Sequence, residues 1–565
     1  MFRITVMICA IVLIFSPCFV AAQPPEESQL DVRPFDPEID PDIDLFFSSW
    51  KESMPRCSFG CLVERDIFTR CDGDPMHPKT RGAVLTELKR FSHATLAVDA
   101  STTPAALEDE QDIFYIESGK GVIQAGGKTA KLYEGVGVLM PPGIEFTMTN
   151  TGEKPLTMYI MAEPIPGGFT PKGEMLVRDE NVLPMHTSSG HWTHINKRLF
   201  RQEDGLAILV GMGPVWFDAM TMGQPHSHSP GVEEIWFALK GDTRILLGKE
   251  LREFPPGTAY KIPPDSKTPH STINATNEPV KTFWFMKNAK HTPEPYSQLD
   301  PKPYDPETEP DIDMYTGSYL ESMPRHTHGA LIERDVLTRC GGDPMNLSAK
   351  GAVLKYVNRF THATLPAHNS TIPVTPEGEQ ELFYIISGKG ALSGGGETYE
   401  LYPGITFLMP ENLEFTMTNT GDEDMTMYLV VEPTYEGFQP KTGIVLHDEN
   451  TAPIVTSHSH WAHIVKHLIR PEEGLAELQL YLTVYFAPNT IAQPHSHGEG
   501  VEEVWCTLSG DVLELLGKQI RVLPPGTAFM IPPNGTTPHA GINVSDNMAK
   551  FFYFARFTDQ NRRKK

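Results

Sequence analysis

Short apolar strands, each ending at a turn glycine, recur along the whole chain. Four of them begin at an acidic residue and run through aromatic and aliphatic positions, at residues 112–119, 234–241, 381–388 and 503–510. Each is followed by a Gly-containing segment and a proline-containing turn, and no long segment repeats its apolar residues at helical spacing. Strands of this length, separated by Gly and Pro, are typical of β-sandwiches and barrels. The pattern therefore predicts an all-β protein built from four barrel-like units.

The chain is one long internal duplication. The segment RPFDPE at residues 33–38 recurs as KPYDPE at 302–307, and ESMPR at 52–56 recurs at 321–325. Both pairs lie 269 positions apart, so the two copies have almost no insertion relative to each other. A constant offset over this length predicts one architecture built twice, with two barrel units in each copy.

The N-terminus has the features of an export signal. Arg3 provides a positive charge, residues 4–15 are mostly apolar, and residues 20–22 form a small-residue cleavage site before Gln23. We therefore expect a secreted or periplasmic protein without membrane contact after signal removal; the alternative is an uncleaved anchor. No later segment stays apolar over the roughly 20 residues that a membrane helix needs.

The duplication and the composition together predict the unit boundaries. With 565 residues the chain is long enough for several independent cores. The most Pro- and acid-rich stretch between the copies is the natural linker. The predicted segments are a signal peptide at 1–22, unit 1 at 33–170, unit 2 at 171–291, a linker at 292–313, unit 3 at 314–439 and unit 4 at 440–560.

Charge and cysteine content narrow the classes of partner. The formal net charge is −25, which disfavours nucleic acid and anionic membranes because both bind basic patches. We expect a small-molecule substrate or ligand, bound by a monomer or a homo-oligomer. Five of the seven cysteines follow the signal, so at least one has no partner within the chain. Cys57 and Cys61 form either a local disulfide or two free thiols.

Histidines and glutamates at fixed spacing are the most informative feature, and the chain contains the set twice. The sets are His226, His228, Glu234 and His270, and then His495, His497, Glu503 and His539. Alternate residues of a strand share a face, so both histidines of each His-x-His pair point the same way. Three imidazoles and one carboxylate suit Fe, Mn, Co, Ni, Cu or Zn and suit Ca or Mg poorly. We therefore expect one divalent transition metal (Fe, Mn, Ni, Cu or Zn) in each set, about two per chain.

These residues resemble the two sequence motifs of the cupin superfamily. The accompanying positions are Gly241, Gly257, Pro263 and Asn274 in the first set, and Gly510, Gly526, Pro532 and Asn543 in the second. The departure from the family pattern is roughly two extra residues between the Pro-rich turn and the last histidine. The resemblance implies four double-stranded β-helix (jelly-roll) barrels, arranged as two tandem bicupin-like repeats. It also implies a metal deep in the barrel mouth of units 2 and 4.

Units 1 and 3 lack the imidazoles. The residues expected at the ligand positions are Phe146 and Phe415 for the last histidine, with residues 102–104 and 371–373 for the His-x-His pair. Asp112 and Glu381 keep the carboxylate position, but one carboxylate beside a phenylalanine does not hold a transition metal. We expect these barrels to have lost the metal and to act as scaffold, or to bind an apolar ligand. His326 and His328 are interpreted as a surface coincidence.

Further side chains near the two sets are candidates for the pocket lining. They are Gln224, Trp236, Gln493, Trp505, His191, His194, His460 and His463. The histidines either orient a metal ligand or substrate oxygen, or belong to a Trp-anchored turn and bond to backbone. The tryptophans of the strands either stack on a flat substrate or only fill the barrel. No acid or base beyond the metal ligands is predicted.

The resemblance implies three classes of function. The first is an exported metal-dependent cupin enzyme that acts on a small organic molecule, as a dioxygenase-like oxidoreductase or a decarboxylase. The second is a non-enzymatic protein that binds or stores a ligand, a sugar or the metal, as plant seed-storage globulins do. The third is an isomerase or lyase acting on sugar acids. Eight ligands kept in register favour an enzyme, because a pure scaffold does not need them.

Overall fold

The computed structural model describes residues 30–186, 191–288, 299–455 and 460–557. Within these ranges every regular element is a β-strand or a short 3₁₀ helix, so the all-β prediction is confirmed. No helix in them has the length and hydropathy that crossing a membrane requires. The cysteines of these ranges are all free thiols, including Cys57 and Cys61. The 3₁₀ helices are Ile43–Phe46, Trp50–Glu52, Gln202–Asp204, Ile312–Tyr315, Tyr319–Glu321 and Pro471–Glu473.

The strands of the first copy are short and follow one another closely. The first twelve are β1 (Phe47–Ser49), β2 (Pro55–Ser58), β3 (Leu62–Arg70), β4 (Ala83–Leu85), β5 (Arg90–Leu96), β6 (Glu110–Ser118), β7 (Lys120–Ala125), β8 (Lys128–Tyr133), β9 (Val136–Met140), β10 (Phe146–Asn150), β11 (Leu156–Pro164) and β12 (Leu176–Asp179). The next ten are β13 (Ile195–Asn196), β14 (Phe200–Arg201), β15 (Gly211–Phe217), β16 (Thr221–Met222), β17 (Glu233–Lys240), β18 (Thr243–Leu247), β19 (Glu250–Phe254), β20 (Thr258–Lys261), β21 (His270–Asn274) and β22 (Val280–Lys287).

The second copy repeats this series. Its first twelve strands are β23 (Thr316–Ser318), β24 (Arg325–Thr327), β25 (Leu331–Arg339), β26 (Ala352–Leu354), β27 (Arg359–Leu365), β28 (Glu379–Ser387), β29 (Gly390–Gly394), β30 (Glu397–Leu401), β31 (Ile405–Met409), β32 (Phe415–Asn419), β33 (Met425–Pro433) and β34 (Val445–Asp448). The remaining nine are β35 (Ile464–His467), β36 (Leu480–Phe486), β37 (Thr490–Ile491), β38 (Glu502–Ser509), β39 (Val512–Leu516), β40 (Gln519–Leu523), β41 (Thr527–Met530), β42 (His539–Asn543) and β43 (Ala549–Arg556).

Each copy folds into two barrels, and each barrel consists of a large and a small sheet. Barrel 1 joins the order β12-β9-β6-β11-β5-β3-β2, with β4 on β3, to β10-β7-β8. Barrel 2 joins β1-β20-β17-β22-β15-β13, with β14 on β15, to β16-β21-β18-β19. Barrel 3 (β24-β25-β27-β33-β28-β31-β34 with β30-β29-β32) and barrel 4 (β23-β41-β38-β43-β36-β35 with β37-β42-β39-β40) repeat the arrangement. The predicted architecture of four jelly-roll barrels in two tandem repeats is confirmed.

The two barrels of a copy exchange strands. β1, which precedes barrel 1 in the chain, pairs with β20 of barrel 2, and β12, from the start of predicted unit 2, pairs with β9 of barrel 1. The large sheets then pack on each other through one core, where the rings of Phe91 and Phe237 lie 5.1 Å apart. A strand's own residue pattern does not identify the strand it pairs with. The boundary predicted near residue 170 therefore assigns β12 to unit 2, although it pairs with a strand of barrel 1.

An N-terminal arm of each copy reaches the other copy. The first arm is residues 30–46 and the second is residues 299–315. Lys249 of barrel 2 holds the first arm, with Nζ 3.0 Å from Asp31 Oδ2, while the Trp461 indole of barrel 4 donates to the Asp31 carbonyl. The first arm therefore joins barrel 2 to barrel 4.

The second arm makes the equivalent contacts, with the two copies exchanged. Lys518 Nζ of barrel 4 lies 3.0 Å from Asp300 Oδ2, and Trp192 Nε1 of barrel 2 donates to the Asp300 carbonyl at 2.6 Å. Leu30 and Leu299, at the starts of the two arms, belong to one hydrophobic cluster shared by barrels 2 and 4. The described part of the predicted linker is thus the second arm, packed against both copies.

Candidate metal centres

The first candidate centre lies at the mouth of barrel 2, where backbone pairing holds two of its histidines together. His226 follows β16 and pairs with His270, the first residue of β21, through backbone hydrogen bonds of 3.3 and 2.9 Å. Glu234 lies on β17, whose neighbouring residue Ile235 packs into the core between the barrels. Alternation along β17 therefore turns Glu234 toward the histidines. In barrel 4 the equivalent pairing joins His495 to His539.

The ligand atoms of the first centre are close enough to share one ion. Nitrogen atoms of His226, His228 and His270 all lie within 4.8 Å of one another. Glu234 Oε2 lies 2.6 Å from His228 Nε2, and its Oε1 lies 3.9 Å from His270 Nε2. Ligand atoms about 2.1 Å from one ion are separated by roughly 3–4 Å. The structure thus brings all four sequence-predicted residues to one place.

The second centre has the same geometry. Nitrogen atoms of His495, His497 and His539 again lie within 4.8 Å of one another. Glu503 Oε2 lies 2.7 Å from His497 Nε2, and its Oε1 lies 3.4 Å from His539 Nε2. All four side chains are buried. The duplication therefore preserves the site as well as the fold.

Buried nitrogen atoms without hydrogen bonds show that these residues fit a metal. Both ring nitrogens of His270 are buried and lack a hydrogen-bond partner among the residues that the structure describes. His228 Nε2 also lacks the alignment of a hydrogen bond, although Glu234 is 2.6 Å away. A buried polar atom left unsatisfied costs about 1–3 kcal/mol. A divalent transition metal bound by these atoms removes that cost, so the donor set fits such an ion.

The pKa shifts of His226 and Glu234 favour the protonation states that metal ligands need. Burial, together with the neighbouring His270 and His228, lowers the pKa of His226 well below its ordinary value. Burial alone would raise the pKa of Glu234, but the adjacent His228 and His270 outweigh it and lower that pKa to about 2. Neutral imidazoles and an ionised carboxylate are the forms that bind metals.

Hydrogen bonds behind the ligands fix their orientation. His226 Nδ1 donates to the Gln224 carbonyl at 2.8 Å, so Nε2 is the nitrogen that would bind a metal. Trp236 Nε1 donates to Glu234 Oε1 at 2.7 Å. The contacts in barrel 4 are His495 Nδ1 to the Gln493 carbonyl at 2.8 Å and Trp505 Nε1 to Glu503 Oε1 at 2.8 Å. Contacts of this kind orient metal ligands and tune their basicity.

His191 and His194 lie behind the first centre rather than in it. The His191 ring stacks on His226 with centroids 4.6 Å apart, and its Nδ1 lies 2.9 Å from Gln224 Oε1. Gln224 in turn donates to the carbonyl of Leu299 in the second arm. His194 is packed beside the Trp236 ring, at 5.6 Å between centroids. The counterparts in barrel 4 are His460, stacked on His495 at 4.5 Å, and His463, 5.4 Å from Trp505.

The turns that carry these histidines have an unusual backbone. His191 and Trp192 have φ values of 46° and 66°, and His460 and Trp461 have φ values of 34° and 70°. Non-glycine residues rarely adopt positive φ, and such strain concentrates at functional sites. The indole hydrogen bonds to the two arms hold the turns in place.

A cavity opens onto each centre, and the two cavities differ. The cavity of barrel 2 has a volume of about 130 Å³. Three of the metal-site residues line it (His226, His228 and Glu234), together with His191, His194, Trp236, Asn196, Arg198, Val215, Trp284 and Met286. The cavity of barrel 4 has a volume of about 40 Å³, and its further lining is Val465, Leu480, Leu482, Val484, Tyr553 and Phe557. The first is polar and cationic at one side, whereas the second is closed by aliphatic and aromatic side chains.

Residues 92–162 and 361–431 match the family model described as a cupin domain. The chain contains two tandem cupin domains. The matched segments run from β5 to β11 in barrel 1 and from β27 to β33 in barrel 3. The predicted resemblance is thus confirmed in those barrels. The two histidine clusters, which fit a divalent metal, lie in the barrels that follow them along the chain.

Solved structures similar to this chain are also known, at low identity. They include the putative glyoxylate induced protein from Pseudomonas aeruginosa (13% identity, 42% of this chain and 83% of that chain, TM-score 0.33). The 7S globulin of Momordica charantia is 12% identical, covers 44% of this chain and 85% of its own, and has a TM-score of 0.34. A mutant Bacillus subtilis oxalate decarboxylase is 12% identical, covers 45% of this chain and 78% of its own, and has a TM-score of 0.33. A likeness at this level says nothing about function. No curated protein matches the chain.

In the cupin domains of barrels 1 and 3 an arginine contacts the carboxylate that lies at the position of the metal-site glutamate. Arg90 Nη2 lies 3.0 Å from Asp112 Oδ2, and its Nε lies 3.2 Å from Glu64 Oε1. In barrel 3, Arg359 Nη2 lies 3.4 Å from Glu381 Oε1. A fixed positive charge on the carboxylate argues against a metal ion at this place.

Two interpretations of these cupin domains are wrong in detail. Phe146 pairs with Ala105, so the position equivalent to His226 lies just beyond residues 102–104; in barrel 3, Phe415 pairs likewise with Val374, beyond residues 371–373. His328 does not lie at the surface, since its side chain is only 5% exposed and its Nε2 is 3.0 Å from Glu381 Oε2. A turn with φ of 51° at His328 directs it inward.

Sequence reasoning missed the cationic side of the barrel 2 cavity. Arg198 and Trp284 line it, although neither belongs to a motif. The available signal was a difference between the copies, because the ligands are identical while these positions carry His467 and Tyr553 in the second copy. The contacts of the arms with Gln224 and its counterpart left no signal in the sequence.

Proposed function

We propose that this chain is an exported, metal-dependent cupin enzyme that acts on a small organic molecule, as a dioxygenase-like oxidoreductase or a decarboxylase. One observation carries the proposal: in barrel 2, three imidazoles and a carboxylate converge beside a cavity of about 130 Å³. Four protein ligands on a six-coordinate ion leave two positions for substrate or dioxygen. When bound, Fe, Mn, Ni, Cu or Zn supplies Lewis acidity or redox chemistry at this place.

The chain's own residues would bind the metal ion, orient its ligands and exclude water from the cavity. His226, His228, Glu234 and His270 would hold the ion. Hydrogen bonds to a backbone carbonyl and from an indole keep His226 and Glu234 in position. Trp236, Trp284 and Val215 form apolar walls of the cavity. Apolar walls exclude bulk water and strengthen the electrostatic interactions of a bound molecule. The half-buried His194 packs beside Trp236.

The barrel 4 centre favours a second role, metal binding without turnover. Its cavity of about 40 Å³ has room for roughly three water molecules. Val465, Leu480 and Leu482 close the space where a substrate would lie. The non-enzymatic alternative therefore applies best to this barrel.

Export remains part of the proposal and is supported by the sequence alone. The predicted signal at residues 1–22 lies outside the residues that the structure describes. We expect the exported protein to begin at Gln23, as determined by N-terminal sequencing of protein recovered outside the cytoplasm. Recovery of the full-length chain inside the cell, starting at Met1, would contradict export.

Turnover by the metal-loaded protein tests the enzyme proposal. Purified protein is loaded in turn with Fe, Mn, Ni, Cu and Zn and offered a panel of small organic acids, alcohols and sugars, while O2 uptake and CO2 release are recorded. Uptake of O2 supports a dioxygenase, and CO2 release without O2 uptake supports a decarboxylase. His228→Ala should abolish either activity, whereas the exposed His77→Ala is the matched control and should keep it. Absence of turnover with every metal would overturn the enzyme proposal.

A further inference from the structure

Arg198 is a cation in the barrel 2 cavity that has no acidic partner. Its guanidinium lies over the Trp284 ring, with Cζ 4.9 Å from the centroid. Among the described residues it has no hydrogen bond and no ion pair. Most described arginines of this copy have an acidic partner, as Arg90 has three. Arg65 and Arg70 instead donate to backbone carbonyls. A partly buried charge is normally paired, so an unpaired one facing a cavity indicates a missing anion.

The electrostatic surroundings of Arg198 agree with that indication. Burial and the neighbouring Arg201 lower the pKa of Arg198, and only Glu234 acts in the opposite direction. Glu234 is itself committed to the histidines of the metal centre, 2.6 Å from His228. Arg198 therefore has no carboxylate paired with it among the residues that the structure describes.

The second copy lacks each feature of this arrangement. Arg198, Trp284 and Asn196 are replaced by His467, Tyr553 and Val465, and Gly211 by Leu480. A Cβ atom at Gly211 would lie 3.5 Å from both Arg198 Nη1 and Trp284 Cη2. A leucine side chain would extend beyond that point into the space that the guanidinium and indole border. The glycine keeps the barrel 2 cavity open, and the leucine helps to close the one in barrel 4.

We propose that barrel 2 selects a small organic anion, a carboxylate, through Arg198, and that barrel 4 does not bind it. This substrate class rests on the proposed function of the same centre. A guanidinium presents parallel N–H donors that match the two oxygens of a carboxylate. Arg198 and Glu234 line one cavity, so an anion held by Arg198 lies between it and the metal ligands. The cavity of about 130 Å³ limits the ligand to a few heavy atoms.

Calorimetric titration of the metal-loaded, full-length protein with malonate tests the proposal. Malonamide serves as the neutral analogue, and the metal content of every preparation is measured in parallel. We expect one malonate per chain although two metals are bound, and much weaker binding of malonamide. Arg198→Gln should weaken malonate binding at least about tenfold, because it removes a charge-assisted pair. Gly211→Leu, which introduces the residue of the second copy, should abolish binding with the metal retained.

The control is Arg201→Gln, which changes a nearby arginine outside the cavity and should leave the affinity within about twofold. Two malonates per chain would overturn the proposal, because barrel 4 would then bind the anion as well. Equal affinity of wild type and Arg198→Gln, at unchanged metal content, would also overturn it. A protein that holds no metal but still binds malonate through Arg198 would uphold the anion site and refute the enzyme. Failure of the anion-binding proposal can therefore be told apart from failure of the enzyme proposal.

Discussion

Replacing Trp236 by phenylalanine isolates the contribution of one hydrogen bond to metal binding. Trp236 Nε1 donates to Glu234 Oε1 at 2.7 Å, and the ring is only 5% exposed. Phenylalanine keeps an aromatic ring on the same face of β17 but has no donor. The carboxylate then keeps its place beside His228 while losing the contact that orients its other oxygen.

The size of the effect follows from that single contact. A hydrogen bond to a charged group contributes about 1.5–3 kcal/mol, which corresponds to roughly a 10- to 150-fold change in a dissociation constant. Partners behind metal ligands contribute about 10- to 100-fold in metal affinity where they have been removed. We therefore expect Trp236→Phe to weaken metal binding by about 10- to 100-fold, while the four ligands still hold the ion.

Competition with a chromophoric chelator measures this affinity. The experiment uses a His497→Ala background, so that only the barrel 2 centre is titrated. Trp216→Phe is the matched control, because Trp216 lies on β15 of the same barrel and outside the cavity lining. Thermal unfolding of the metal-free proteins reports separately on any loss of packing. A metal affinity of Trp236→Phe within about twofold of its parent would refute the role given to the indole.

Two further predictions concern stability. Burial raises the pKa of Glu502 to about 7, although backbone hydrogen bonds from residues 355–357 act in the opposite direction. The folded chain therefore keeps a proton that the unfolded chain releases above about pH 4.5. This carboxyl lowers the free energy of unfolding as the pH rises from about 4.5 to 7. Glu502→Gln should reduce that slope in thermal midpoints measured at pH 5 and 7.5, and an unchanged slope would contradict it. Phe237 is fully buried, 4.4 Å from Tyr159 and 4.9 Å from Phe283 between ring centroids. Phe237→Ala should cost about 3–5 kcal/mol in urea unfolding, and a loss under about 1 kcal/mol would show that the inter-barrel core does not stabilise the fold.

The all-β fold and the two histidine clusters were predictable because local rules encode them. Alternation along β17 places Glu234 and Ile235 on opposite faces of the strand, with Glu234 toward the barrel interior and Ile235 toward the core between the barrels. The duplication then doubles each observation, since a constant offset of the ligands excludes chance spacing. The Gly and Pro turns mark the ends of the strands for the same local reason.

The remaining features depend on long-range partners, which residue patterns do not specify. β1 and β12 look like ordinary strands, and nothing in their sequences shows that each pairs with the neighbouring barrel. The hydrogen bond from Gln224 to Leu299 depends on where an arm of the other copy ends. Arg198 belongs to no motif, and its sequence position shows neither that it lines the cavity nor that no carboxylate is paired with it.

Metal content measured by mass spectrometry tests the two centres most directly. Wild-type protein should hold about two equivalents of one transition metal, one in each histidine cluster. His228→Ala and His497→Ala should each lose one equivalent, the double variant should lose both, and the exposed His77→Ala should lose none. A wild-type protein without metal, or a double variant that keeps both equivalents, would contradict the assignment of these histidines as metal ligands.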